Sequence, residues 1–215
     1  MQTPSIQTLY FAPFSCSQLI HIALNKTGSP FNLEKIDIRK GEQFEAEYLA
    51  INPHARVPAL VTDEGVITQA GSILIYLDEQ YADARLLPPV NDPRRYKALT
   101  ALFFIATQVQ PLFNMMFYPD RVTNGGIKDI ADKTLSRIDD ALSSFEQQLS
   151  QANYLSGDSY FACDYYLFVV LNWLKALNKN LNGYPKLQGF QAKMASLKEV
   201  RETLAHELPL LSKSA

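Results

Sequence analysis

Cysteine is scarce in this chain. Cys16 and Cys163 are the only two in 215 residues, too few for a disulfide framework, and their scarcity points to a reduced, cytoplasmic setting. The three histidines, His21, His54 and His206, are scattered and combine with neither cysteine in a zinc-ligand spacing, so no metal is expected. An excess of one charge is missing as well. Twenty Lys and Arg stand against 22 Asp and Glu, for a net charge of -2 and a pI near 5.9, which excludes the basic footprint of a nucleic-acid binder. The opening MQTPSIQTLYFAPFSCS lacks a basic segment followed by an apolar run, so no secretory leader is expected. No uncharged apolar run of about 18 residues stands out either, so no membrane span is expected. Repeats, low-complexity tracts and like-charge runs are absent. What remains is 47% hydrophobic and 20% charged, the balance of a compact chain with a substantial core.

Two patterns divide that core. From Ile6 to Leu86 short strands alternate with helices: strand Ile6 to Phe11, helix Cys16 to Lys26, strand Phe31 to Ile38, a helical stretch near Glu42 to Ala50, strands Ala59 to Thr62 and Val66 to Thr68, and helix Gly71 to Tyr81. Asp63, Glu64 and Gly65 read as the turn of a hairpin. Three prolines at 88, 89 and 93 mark a linker over 84–92. Beyond it only helical periodicity is found. Ile127, Ile130, Ala131, Thr134, Leu135, Ile138, Leu142, Phe145 and Leu149 form one apolar helix face, and Leu167 to Leu174 is apolar on nearly every side, as in a buried helix. The expectation is an α/β domain over 1–83 and an all-α domain over 93–215.

Three segments carry candidate chemistry. Cys16 follows a strand and an irregular Ala12-Pro13-Phe14-Ser15, at the start of a helix whose free N–H groups and partial positive charge stabilise a thiolate. It reads as a nucleophile or, equally, as a small buried hydrophobe. Cys163, in Phe161-Ala162-Cys163-Asp164, has an apolar setting and an acidic neighbour and reads as inert. Pro58 opens a strand, where its missing N–H does least harm. Thr68-Gln69-Ala70-Gly71-Ser72 passes from strand into helix and offers N–H groups suited to a carboxylate.

Leu9 to Ser17, Asn52 to Leu60, Thr68 to Leu74, and Gly157-Asp158 through Asp164 to Phe168 occur together in an order and spacing that resemble the cytosolic glutathione transferases, above all the bacterial beta class, over nearly the whole chain. The resemblance implies a thioredoxin-like first domain, an all-helical second domain, a homodimer, glutathione as co-substrate, and a cis Val57–Pro58 bond. It implies that Cys16 faces the glutathione sulfur, and that Val57 beside Pro58 pairs its backbone with the cysteinyl part. Gln69 and the N–H groups from Ala70 onward would hold the γ-glutamyl end. Lys40 would contact the glycine carboxylate, its other reading being a solvated lysine.

There are departures from the pattern. Gln110 stands where beta-class enzymes commonly have a histidine, and a glutamine takes no proton at neutral pH. Phe103 replaces a residue that is often polar, and Phe14 stands where zeta-class relatives keep a hydroxyl, with Ser15 the nearest alternative. Phe161 occupies the Ser/Thr position of a helix capping box, so Ser159 or Asp158 is expected to compensate. Pro111 is expected to kink or end its helix. The resemblance implies a second substrate between the domains against Phe104, Gln108, Phe113, Met115, Met116 and Phe117, residues that equally suit a helix face and core. Two functions follow: a glutathione transferase acting on small apolar electrophiles, in detoxification or with thiol-disulfide exchange through Cys16, or a non-catalytic dimeric binding module of the same fold.

Overall fold

The computed structural model describes residues 6–212. It divides into two compact units. The first runs to Leu87 and takes in the chain again from Leu197 onward, and the second is Pro88–Ser196. The C-terminal helix is thus part of the first unit, whereas the sequence alone assigned all of 93–215 to the helical domain. The periodicity of that helix reports that one side is buried and says nothing of what buries it.

The first unit is built on a four-stranded sheet of order β2-β1-β3-β4. Strand β1 (Gln7–Phe11) pairs parallel to β2 (Phe31–Lys35) and antiparallel to β3 (Ala59–Thr62), and β3 pairs antiparallel to β4 (Gly65–Thr68). The two-residue connection Asp63-Glu64 closes that hairpin, with Thr62 opposite Gly65. Helix α1 (Ser17–Thr27) is the crossover between the parallel strands and ends at Gly28, whose φ of 71° lets its N–H reach the Asn25 carbonyl. Helices α2 (Ala46–Ile51) and α3 (Ala70–Gln80) follow the loops around β3 and β4. Leu9, Phe11, Leu19, Ile20, Leu60, Ile73 and Leu77 are buried and form the apolar centre. The predicted strand to Ile38 stops at Lys35, because Ile36 and Asp37 turn into a loop that buries both.

In the second unit, α4 (Arg94–Phe104) and α5 (Gln110–Phe117) are joined without a break by a π-helical turn, Ile105–Val109. The helix therefore does not end at Pro111. The π turn widens the hydrogen-bond ladder just ahead of the residue that lacks an N–H, so the helix passes it. The resulting Arg94–Phe117 stretch is 24 residues long and is long and apolar enough to cross a membrane by length and composition, which corrects the expectation that no such segment exists. Its apolar face, with Leu102, Ile105, Leu112 and Phe113, is buried in the unit, while Thr107, Gln108 and Asn114 are exposed.

Helix α6 (Ala131–Gln151) buries Thr134, Ile138, Ala141, Leu142, Phe145 and Leu149, while Ile127 belongs to a short turn before it. Helix α7 (Ala162–Asn172) is buried from Ala162 through Leu171, as its all-round apolar sequence predicts. Helix α8 (Pro185–Ala195) completes the unit, and α9 (Lys198–Ser212) returns to the first unit against α1.

The start of α7 is secured by Asp164. Its Oδ2 accepts the Phe161 N–H and its Oδ1 the Leu155 N–H, both at 2.9 Å. Phe161 has no acceptor to complete a capping box, and the compensation comes from this second bond, while Ser159 and Asp158 lie exposed. Cys163 is fully buried, and burial pushes its thiol well above the ordinary range, in keeping with an inert role.

Candidate functional site at one end of the sheet

The register of the strands assembles the site. Tyr10 lies opposite Ala59, Ala59 opposite Thr68, and Phe11 beside Lys35. The chain leaving β1 toward Cys16, the Val57–Pro58 segment entering β3, the chain leaving β4 into Gln69 and Ala70, and the loop after β2 with Lys40 therefore all emerge at one end of the sheet. The one strand read backwards, β3, is the one whose predicted site residues precede it.

Cys16 is half-buried at the N-cap of α1, and its Sγ donates to the Val57 carbonyl at 3.3 Å. The expected free N–H groups at this helix start are occupied. The Ser17 N–H goes to Ser15 Oγ (3.1 Å), the Gln18 N–H to the Ser15 carbonyl (3.1 Å) and the Leu19 N–H to the Cys16 carbonyl (3.3 Å). Ser15 is therefore a capping residue for the turn, tied also to Ser17 Oγ at 2.7 Å. The sulfur sits beside the backbone of the β3 entry, and the S–H makes a contact that a thiolate cannot.

Val57–Pro58 is a cis peptide. It is framed from behind by two buried side chains that sequence reasoning missed. The Tyr48 hydroxyl and Asn52 Nδ2 both donate to the Arg56 carbonyl at 2.6 Å, and Asn52 Oδ1 accepts the His54 N–H at 3.1 Å. Burial is the main cause that pushes the Tyr48 phenol up to about 12, so it stays a donor throughout the neutral range. The signal for both residues was present: an asparagine before Pro53 reads as a turn former, and a tyrosine one helical turn earlier faces the same side.

Gln69 is exposed, with φ 69° and ψ 121°, and the first bond of α3 runs from the Ile73 N–H to the Gln69 carbonyl at 3.0 Å. The N–H groups of Ala70, Gly71 and Ser72 precede that bond and face the helix start, where an anion is favoured. Lys40 is 73% exposed and its Nζ is 3.8 Å from Asp37 Oδ2. Burial raises the Asp37 carboxyl, but the N–H groups of Lys40 and Arg39 and the charges of Lys35 and Lys40 outweigh it and hold it below the usual range. Lys40 is thus an exposed cation with an acidic partner.

Residues 7–79 match the family described as Glutathione S-transferase, N-terminal domain, and residues 104–198 match its C-terminal domain. The chain belongs to the glutathione S-transferase family. As a glutathione S-transferase it is an enzyme of the transferase class with a thioredoxin-like first domain and a helical second one. It is 32% identical to glutathione S-transferase GstA of Escherichia coli O157:H7 over 93% of this chain and 98% of that one. A glutathione transferase homolog from Sulfitobacter, solved with bound glutathione, shares 26% identity at a TM-score of 0.87, over 94% of this chain and 98% of that one. A beta class glutathione S-transferase from Sphingomonas chungbukensis shares 28% identity at a TM-score of 0.82, over 93% and 98%.

Among the described residues of this glutathione S-transferase no group of three or more His, Cys, Asp and Glu is placed to hold a metal. In the second unit, Gln110 is held by the Tyr166 hydroxyl, which donates to its Oε1. The amide is thereby committed to the buried helix α7. Of the residues considered for a second substrate, Phe104 and Gln108 line a groove of about 220 Å³ with Arg137 and Asp140 opposite. Phe113 and Phe117 instead pack edge-on against Trp173, at 5.5 and 6.3 Å between ring centroids, with Phe113 buried in the core and Phe117 half-buried beside it.

Proposed function

We propose that this protein is a cysteine-type glutathione transferase, akin to the beta class. It binds reduced glutathione at the end of the sheet, transfers it to small apolar electrophiles, and exchanges thiols with disulfides through Cys16. The reading includes a homodimer in the cytoplasm and a role in detoxification or redox balance. The observation that carries it is the Cys16 sulfur 3.3 Å from the Val57 carbonyl, at the strand entry where a peptide would add to the sheet.

In this reading the cysteinyl backbone of glutathione pairs with Val57 and takes over the carbonyl that the Cys16 S–H now uses. The released thiol then faces the glutathione sulfur. Gln69 and the N–H groups from Ala70 hold the γ-glutamyl carboxylate, Pro58 shapes the β3 entry, and Lys40 approaches the glycine carboxylate. For exchange, the Cys16 thiolate attacks one sulfur of glutathione disulfide. A Cys16–glutathione bond forms, the old S–S bond breaks, and glutathione thiolate leaves; no separate base is needed. That tolerates a Gln110 bound to Tyr166. For conjugation, the glutathione thiolate, its proton given up to solvent, attacks the electrophile: a C–S bond forms as a leaving group departs with its electron pair. Cys16 donates a hydrogen bond to the attacking sulfur, the Ser17 hydroxyl being buried and committed to the Ala12 carbonyl.

The test is intact mass and peptide mapping after exposure to glutathione disulfide. One adduct on Cys16, absent in Cys16→Ser and in protein alkylated beforehand, is the expected result. No adduct on Cys16, or equal labelling of Cys163, leaves the non-catalytic binding module as the better reading. The contribution of Lys40 is expected to be small. Because it is exposed and already paired with Asp37, Lys40→Ala should raise the half-saturating glutathione concentration only about two- to threefold. A titration showing a far larger loss would make it a primary anchor.

A further inference from the structure

Glu207 on α9 is fully buried and lies 193 positions after the residue whose backbone it binds. Its Oε2 accepts the Phe14 N–H at 2.7 Å and Gln18 Nε2 at 2.9 Å, and its Oε1 lies 2.8 Å from His21 Nδ1. Phe14 and Gln18 bracket Cys16. A buried carboxylate from the far end of the chain is therefore fastened to both sides of the segment that carries the sulfur.

The bond to Phe14 is made by a conformation that phenylalanine does not favour. The Ser15 N–H reaches the Ala12 carbonyl at 3.2 Å, and Phe14 has φ 57°. With Pro13 unable to take a positive φ, this is a type II turn, whose third residue is usually glycine or asparagine. A type I turn suits Pro-Phe better, and it differs by rotation of the Pro13–Phe14 peptide through about half a circle. That rotation would swing the Phe14 N–H away from Glu207 and leave a buried carboxylate short of a donor, which is strongly unfavourable. The turn in its type II form sets Ser15, and Ser15 in turn caps the helix start at Cys16 through Ser17 N–H and Gln18 N–H.

We infer that Glu207 is a positioning residue for Cys16: by accepting the Phe14 N–H it holds the Ala12–Ser15 turn in the flipped form that presents the sulfur at the β3 entry. The inference rests on the proposed function, in which Cys16 meets glutathione there.

The test compares two disulfides that react with the same sulfur, glutathione disulfide and cystamine. The ratio of their exchange rates cancels the intrinsic reactivity of the thiol and reports its alignment with the glutathione-binding backbone. Wild type should favour glutathione disulfide. Glu207→Met, which keeps the side-chain length and removes both oxygen acceptors, should lower that ratio about tenfold, a loss in keeping with a small misplacement. Phe14→Gly in the Glu207→Met background should restore it to within about threefold, because glycine adopts the left-handed turn unaided. Thr203→Val, which removes the 2.8 Å bond from Asn25 Nδ2 to the same helix, should lower the melting temperature and leave the ratio unchanged. An unchanged ratio in Glu207→Met, an equal loss in Thr203→Val, or failure of Phe14→Gly to rescue overturns the positioning role. A wild-type ratio near one instead removes the glutathione site itself, and the positioning role with it. Should Glu207→Met fail to fold, hydrogen exchange of the Phe14 amide in the unaltered protein decides: strong protection supports the bond to Glu207, and rapid exchange overturns it.

Discussion

Asp164→Ala is expected to lower the unfolding free energy by about 3 to 4 kcal/mol, because it strands two N–H groups at roughly 1 to 3 kcal/mol each. The Leu155 and Phe161 N–H groups bind the two carboxylate oxygens at 2.9 Å, and Asp164 is fully buried, so no water replaces the lost acceptor. For a chain of this length the melting temperature should fall by roughly 10 °C. Phe161→Ser, by contrast, supplies the missing half of the capping box but removes a buried ring, so it should not stabilise.

The same carboxyl has a pH signature with a definite sign. Burial is the main cause that raises Asp164 from 3.8 to about 6, against the four hydrogen bonds that favour its charged form. A carboxyl whose folded value lies above its unfolded value contributes stability below about pH 4 and loses it as the pH rises through 6. The stability of wild type measured against Asp164→Asn should therefore decline between about pH 4 and pH 7, by at most ~3 kcal/mol. Urea unfolding of both proteins across that range is the measurement. A difference that grows with pH would mean that the two N–H donors outweigh burial.

The second large effect is expected where Tyr48 and Asn52 hold the Arg56 carbonyl. The double variant Tyr48→Phe, Asn52→Ala removes both 2.6 Å bonds and the Asn52 acceptor for His54. Loss of these bonds should cost about 2 to 3 kcal/mol of stability, since net contributions of ordinary hydrogen bonds run near 1 kcal/mol each. The more telling readout is glutathione binding. With the Arg56 carbonyl released, the Val57–Pro58 edge loses its fixed orientation, and affinity should fall about tenfold, on the scale of a pre-organisation lost before binding. Each single variant should show a smaller effect, and the double variant should lose more than the sum of the two if either donor can hold the Arg56 carbonyl alone. Unchanged affinity in the double variant would show that the β3 entry is held by the sheet alone.

The elements were largely legible because their periods are local. Strand β3 was placed residue for residue, α6 by its apolar stripe and α7 by its lack of a polar face. The candidate site was legible as three segments, through residue types whose backbone behaviour is special: a cysteine at a helix start, a proline opening a strand, and a strand that turns into a helix at Gln69. Neither the occupation of the helix-start N–H groups by Ser15 nor the π turn before Pro111 was legible. Both are settled by hydrogen-bond competition among neighbours, where several partners are chemically acceptable and only geometry selects one.

Composition and local order by themselves determined that this chain forms an α/β part followed by helices, that it carries no excess of Lys and Arg over Asp and Glu, and that Cys16 is the sulfur to examine. The β3–β4 hairpin was legible in Asp63-Glu64-Gly65, but tertiary structure alone decided that β3 runs against β1, which brings Cys16, Val57, Gln69 and the Lys40 loop to one end of the sheet. It also decided that α9 returns to the first unit and seats Glu207 against Phe14. The physical reason is separation along the chain: periodicity records which side of an element is buried, but a partner 193 positions away is chosen only when the fold closes.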